Sequence, residues 1–69
     1  MLLKCRDTFE RMVWIHPDAI LSVEQTQKGM CRVWLPRDHA IDLLEDAEAF
    51  VARVEEARLA WEVKANATY

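Results

Sequence analysis

The stretch between residues 20 and 35 predicts a β-hairpin whose pairing is set by its turn. Two runs that alternate apolar and polar side chains, 20–26 and 30–35, flank the tripeptide Gln27-Lys28-Gly29, which holds the only glycine of the chain. A three-residue loop that ends on a left-handed glycine would pair Thr26 with Met30. A slip of one residue would mix the apolar and polar faces, so the pattern favours a single register. The pairs of that register are Leu21 with Leu35, Val23 with Val33 and Glu24 with Arg32.

Three shorter stretches also have strand character. Residues 2–6 and 11–16 alternate their side chains as strands do, and Pro17 ends the second because proline cannot donate to a strand ladder. Residues 39–43 fit a last strand, but they also fit the beginning of one long helix capped by Asp38. A helix of about 26 residues would be far longer than average in so small a domain, which favours the strand.

The helix prediction covers Asp46 to about Glu62. Apolar side chains recur there at intervals of three and four residues, so they form one stripe along a helix. Either Asp42 or Asp46 can cap the start of such a helix. The stripe consists of Ala47, Phe50, Val54, Ala57 and Trp61.

These elements predict an α+β fold: a small antiparallel sheet of four to five strands with one C-terminal helix packed on one face. We expect a single domain over residues 1–64 and a frayed tail over residues 65–69. Phe50, Val54 and Trp61 would cover the apolar face of the sheet. The sheet residues expected on that face are Leu3, Cys5, Val13, Ile15, Leu21, Val23, Val33 and Leu35.

The opposite face of the sheet is the candidate interaction surface. Two tryptophans and a methionine on the side away from the helix would form a patch that a small monomer leaves exposed to water. Tryptophan and arginine also dominate the binding energy of interfaces. Two alternatives remain open: the helix could cover this face instead, or the tryptophan rings could lie under arginine stems as solvated groups. The residues of this surface are Met12, Trp14, His16, Arg32 and Trp34.

Charge and hydropathy narrow the choice of partner. The net charge is −3, and the acidic residues concentrate in the helical half, so no basic stripe exists for a phosphate backbone and nucleic acid is an unlikely partner. No apolar run resembles a signal peptide or a membrane span, which predicts a cytoplasmic protein without membrane association. The competing hypothesis is a small dimeric β-rich nucleic-acid-binding regulator that stacks bases on its tryptophans. It would use Arg6, Arg11, Arg32 and Arg37.

The sequence offers little for catalysis or for a cofactor. Cys5 and Cys31 are 26 residues apart and fall on apolar sides of their strands, which is typical of buried free thiols. With His16 and His39 they lack the short spacing of structural zinc sites, so we expect no metal. Ser22 is the only serine and no nucleophile elbow or phosphate loop accompanies it, which predicts a protein without enzyme activity or cofactor.

One segment resembles a known family. The stretch from Ile15 to Thr26 contains His16-Pro17-Asp18-Ala19-Ile20 followed by Val23-Glu24-Gln25-Thr26. It is similar to the FlbD family of small flagellar-operon proteins, in which a strand leads through a Pro-Asp turn into an Ile-Glu-x-Thr strand. The resemblance runs from Met1 to about Glu56 and implies a shape, strands followed by a C-terminal helix, without catalytic residues.

The function that these patterns favour is a non-enzymatic interaction module. A chain of 69 residues has a thin core, and self-association is a common way for such a chain to gain stability. We therefore expect a homo-oligomer that associates through one sheet face and that can also bind a protein partner. An accessory or regulatory protein of a bacterium or phage fits this description.

Overall fold

The computed structural model describes residues 2–66 and the side chains of residues 2–60. Five strands precede one helix, and a short 3₁₀ helix, Pro17–Ala19, joins the second strand to the third. The strands are β1 (Leu3–Arg6), β2 (Met12–Ile15), β3 (Ser22–Gln27), β4 (Met30–Leu35) and β5 (His39–Leu43), and the helix is α1 (Ala47–Asn66). The strand interpretation of residues 39–43 is thus confirmed.

The prediction of one sheet with four to five strands is wrong, because the strands form two antiparallel sheets. β1 pairs with β2 in a two-stranded sheet, and β3, β4 and β5 form a three-stranded sheet in that order. The coarser prediction, an α+β fold with a C-terminal helix, is confirmed.

Among the described residues, backbone contacts join the two sheets near the ends of β1 and β5. A bridge joins Asp7 to Leu43, the N–H of Leu44 donates to the C=O of Arg6 at 3.0 Å, and the N–H of Thr8 donates to the C=O of Asp42 at 3.1 Å. Beyond Thr8 the chain turns toward β2, and β5 ends at Leu43 where the chain bends toward α1. The two strands therefore meet end to end and cannot form a long ladder.

The predicted hairpin register is confirmed along most of its length. Ser22 pairs with Trp34, and the pairs formed by Val23 with Val33 and by Glu24 with Arg32 are as expected. The turn differs: Gln27 rather than Thr26 pairs with Met30, so Thr26 is an extra, bulged residue in β3. The bulge absorbs the change from a three-residue to a two-residue loop and leaves the register intact. Gly29 has a φ of 79°, the left-handed conformation expected at this position.

The core lies between α1 and the apolar sides of both sheets. Phe50 and Val54 of the helix pack with sheet residues in one cluster, so the helix covers the face that was expected to form the core. Leu3, Val13, Val23 and Leu35 are half-buried around the cluster. Among the described side chains, the buried apolar residues are Cys5, Ile15, Cys31, Val33, Leu43, Phe50 and Val54.

The predicted core also contained Leu21 and Trp61. Leu21 is 68% exposed, so its assignment to the core is wrong. It lies outside β3, and its N–H donates to the C=O of Trp34 at 2.8 Å, so it does not pair with Leu35. Trp61 was predicted to contact the core, and its side chain lies outside the described ones.

The beginning of α1 is bound to the turn of the β3–β4 hairpin. The carboxylate of Asp46 accepts the N–H of Gly29 at 2.6 Å and the side-chain amide of Gln25 at 2.8 Å. The carbonyl oxygen of the same Gln25 side chain accepts the N–H of Ala47 at 2.7 Å, so Gln25 caps the helix. Asp46 is the residue before the helix, as predicted for a cap, but its carboxylate closes the hairpin turn. These hydrogen bonds, that from Gln25 first, lower the pKa of Asp46.

Two arginines of α1 hold the helix against the rest of the chain. Arg53 donates to the backbone carbonyl of Lys4 in β1, and Arg58 donates to the carbonyl of Pro17 at 2.8 Å. The helix extends to Asn66, beyond the predicted end at about Glu62, and so includes the first two residues of the predicted tail. Residues 67–69 lie outside the described part of the chain.

Candidate interaction surface

Met12 and Trp14 lie on β2 and point away from the core. Met12 is 39% exposed and Trp14 is 56% exposed, whereas Ile15, the last residue of β2, is buried in the core. Trp14 pairs with Lys4 across the β1–β2 hairpin, and the Lys4 ammonium lies 6.0 Å from the centroid of the indole ring. This is the outer limit of a cation–π contact. Trp14 is therefore a large and accessible aromatic group.

His16 follows β2 and is exposed. Its Nδ1 accepts the N–H of Asp18 at 3.2 Å, which caps the 3₁₀ helix that begins at Pro17. The imidazole thus closes a turn at the edge of the candidate surface.

Arg32 and Trp34 lie on β4 and are only half-buried. Arg32 forms an ion pair with Asp42 of β5, with 2.7 Å between Nε and Oδ1, and lies 4.0 Å from Glu24 of β3. The hydrogen bond to Asp42 raises the pKa of Arg32. The indole N–H of Trp34 donates to the same Glu24 carboxylate at 3.1 Å. Polar partners across the sheet therefore hold both side chains in place.

The five residues fall into two groups. Met12, Trp14 and His16 belong to the β1–β2 hairpin, whereas Arg32 and Trp34 belong to the three-stranded sheet. The described backbone bridge between the sheets is at Asp7 and Leu43, and the described hydrogen bonds and ion pairs do not join the two groups. The hairpin group carries the larger exposed apolar area and has fewer polar partners.

A groove of about 440 Å³ lies beside the hairpin. It is lined by residues 7–9 and 11–13 on one side and by residues 39–42 of β5 on the other. Phe9, between β1 and β2, is 76% exposed at this groove. The Arg11 guanidinium lies 5.1 Å from the centroid of its ring. Phe9 was not predicted as part of a site, because no periodic pattern marks a single aromatic residue in a turn.

Asp7 holds the turn that leads from β1 into β2. Only 3% of it is exposed, and its carboxylate accepts the N–H of Phe9 at 3.0 Å, the N–H of Arg11 at 2.8 Å and the Arg11 Nε–H at 3.0 Å. Burial alone would raise the pKa of Asp7. The hydrogen bonds from the backbone and side chain of Arg11 outweigh burial and lower that pKa below its ordinary value. We therefore assign Asp7 a structural role.

The Asp7 contacts predict a pH dependence of stability. Because the folded-state pKa is lower than the unfolded one, Asp7 stabilises the fold above its unfolded pKa of about 3.9, and this contribution is lost as the pH falls through the folded value. We expect the urea midpoint to fall less between pH 7 and pH 3 in Asp7→Asn than in the wild type. Asp38→Asn, at an exposed turn residue, is the control and should keep the wild-type pH dependence. An unchanged dependence in Asp7→Asn would contradict this role.

The two cysteines, considered above as metal ligands, belong to the core cluster. Cys5 and Cys31 are buried free thiols, and burial raises the pKa of both, that of Cys31 to about 11. Among the described residues no group of three or more His, Cys, Asp or Glu side chains could hold a metal ion. Of the four arginines considered for nucleic acid, Arg11 and Arg32 already form ion pairs with carboxylates.

Comparisons with known proteins complete the description of this surface. Within the described part of the chain, no helix combines the length and apolar character needed to cross a membrane. The resemblance of residues 15–26 to the FlbD family stays a prediction from the sequence. Searches against family models, curated proteins and solved structures find no match to the chain.

Proposed function

We propose that this chain is a non-enzymatic protein-interaction module that self-associates through the outward side of its sheets. The surface consists of Met12, Trp14, His16, Arg32 and Trp34. The observation that carries the proposal is Trp14: a tryptophan that is 56% exposed on the outer side of a regular strand, next to Met12. Burial of such side chains in an interface releases a large apolar area from water.

The size of the core supports association. Seven apolar residues form the buried cluster among the described side chains, and several large apolar side chains are left on the surface. A domain of this size is only marginally stable by itself, and pairing of copies adds buried area without lengthening the chain. Among the described side chains, four exposed apolar ones lie in or next to the β1–β2 hairpin: Leu2, Phe9, Met12 and Trp14.

The experiment that tests the proposal is a measurement of solution mass. Light scattering on a sizing column, over a hundredfold range of concentration, should give a mass of two or more copies of the 8.1 kDa chain. Trp14→Glu should shift the mass toward one copy because it places a charge where an apolar contact forms. Leu59→Glu changes a helix residue that is 62% exposed and should leave the assembly intact.

Trp34→Glu separates the contributions of the two groups. If the interface extends to the three-stranded sheet, Trp34→Glu gives a smaller species that still folds, as judged by circular dichroism, since Trp34 is only half-buried. An unchanged assembly in Trp34→Glu would restrict the surface to the hairpin. A single-copy mass of the wild type at every concentration, or an unchanged mass in Trp14→Glu, would contradict the proposed function.

A further inference from the structure

The free edge of β2 is the feature that carries a further inference. Within residues 2–66, β2 pairs with β1 on one side and with no strand on the other. The N–H of Asp7 donates to the C=O of Arg11 at 2.9 Å, which makes these two residues a hydrogen-bonded pair of the β1–β2 ladder. Hydrogen-bonded and non-hydrogen-bonded pairs alternate along an antiparallel ladder. The backbone groups of Val13 and Ile15 therefore point to β1, and those of Met12 and Trp14 point to the free edge.

Contacts of β1 support this alternation. The pairs Arg6 with Met12 and Lys4 with Trp14 are the non-hydrogen-bonded ones, so the Arg6 and Lys4 carbonyls must point away from β2. The Arg6 carbonyl indeed accepts the N–H of Leu44, and the Lys4 carbonyl accepts the guanidinium of Arg53. On β2, no described residue forms a hydrogen bond with the backbone of Met12 or Trp14.

The β2 edge is less protected than the other sheet edges. Natural edge strands avoid further pairing through charges, bulges or cover from another segment. β3 has a bulge at Thr26 and a charged side chain at Glu24, and β5 carries His39 and Asp42 and is bridged to Asp7 at its end. β2 has four consecutive apolar residues, Met-Val-Trp-Ile, without a charge or a bulge.

We infer that β2 pairs with β2 of a second copy, in antiparallel orientation about a twofold axis at Val13. This inference rests on the proposed self-association and names its geometry. Met12 of each copy lies opposite Trp14 of the other, and the outward N–H and C=O groups of both residues bond across the axis. The two hairpins then form one four-stranded sheet, with a closed, symmetric contact. The methionine sulfur meets the indole ring, a favourable contact for both side chains.

Like charges disfavour the parallel orientation of the two strands. In the antiparallel register Glu10, two residues before β2 in one copy, faces the His16 end of the other, and Arg11 faces the apolar Ile15. A parallel, in-register pairing would instead set Glu10 beside Glu10 and Arg11 beside Arg11, and like charges opposite each other destabilise strand pairs. The antiparallel orientation therefore avoids both like-charge pairs.

Backbone amide exchange tests this pairing directly. Amide exchange of the wild type should be followed by NMR at low and high concentration, with the mass measured on the same samples. The amides of Met12 and Trp14 should exchange about tenfold more slowly once nine-tenths of the chains are paired, because they are then hydrogen-bonded. The amides of Val13 and Ile15 bond to β1 and serve as the internal control that is protected in every sample.

The outcomes separate this inference from the proposed function. A two-copy mass with freely exchanging Met12 and Trp14 amides would overturn the pairing of β2 and leave self-association standing. A single-copy mass at every concentration would overturn both. Protection of the two amides in single chains would show a partner within the same chain and would also overturn the inference.

A matched pair of variants at Met12 gives a second test. Met12→Pro removes the outward N–H without breaking a bond of the β1–β2 ladder, whereas Met12→Ala keeps that N–H and shortens the side chain. Met12→Pro is expected to be a single copy that still folds by circular dichroism, and Met12→Ala is expected to remain paired. An equal loss of pairing in both variants would assign association to the side chain alone and would overturn the inference.

Discussion

Phe50→Ala is expected to destabilise the protein more than any of the other proposed substitutions. The Phe50 side chain is completely buried and joins the helix to the sheet residues of the core. Truncation of a buried phenylalanine to alanine costs about 3–5 kcal/mol. A chain of this length has a total stability of roughly 3–10 kcal/mol, so the loss is at least about a third of the total.

Val51→Ala is the control for this variant. Val51 is the next residue of the helix but is 38% exposed, so its truncation should cost only about 1 kcal/mol. Both variants should be measured by urea unfolding at one fixed protein concentration, because association makes the midpoint depend on concentration. Equal midpoints in the two variants would show that Phe50 is not part of the core.

Leu43→Ala is expected to have the second-largest effect, a loss of about 2–5 kcal/mol. Leu43 is completely buried at the end of β5, and it forms the backbone bridge to Asp7 that joins the two sheets. A cavity at this position removes apolar contacts from both sheets and from the helix at once. The loss should therefore appear in the urea midpoint as one cooperative transition at a lower concentration of denaturant.

The neighbouring leucine provides a matched control. Leu44→Ala makes the same chemical change one residue later, but Leu44 is 38% exposed, and a loss of about 1 kcal/mol is expected. If Leu44→Ala destabilised the protein as much as Leu43→Ala does, the burial of Leu43 would not explain its effect.

Local patterns predicted the β3–β4 hairpin well. Alternation of apolar and polar side chains sets which residues face the core, and one glycine marks the turn, so the register from Ser22 to Gln25 could be read directly. The bulge at Thr26 could not, because the same register is compatible with two loop lengths once an extra residue is allowed.

Contacts between distant segments were harder to predict. The alternation in β1 and β5 says which side chains share a face, but it does not say where two strands meet. The end-to-end contact at Asp7 and Leu43 depends on the turn that follows β1 and on the bend before the helix, and it divides the predicted sheet in two. The burial of Leu43 follows from that contact.

The candidate surface was likewise predicted only in part from the sequence. Trp14 and Trp34 were predicted on outward sides of their strands, and alternation alone sufficed for this. Their separation into two sheets was not visible in the sequence. Asp42 was also missed as the main partner of Arg32, because its position depends on the pairing of β5 with β4.

The exchange of roles between Gln25 and Asp46 links the formation of the helix to that of the hairpin. A strand residue supplies the cap of the helix, and the residue before the helix supplies the acceptor that closes the strand turn. The N–H of Ala47 and the N–H of Gly29 each lose this acceptor when the other element is absent. Segments cut from this chain would lose these hydrogen bonds on both sides, so we expect the helix and the hairpin to fold together.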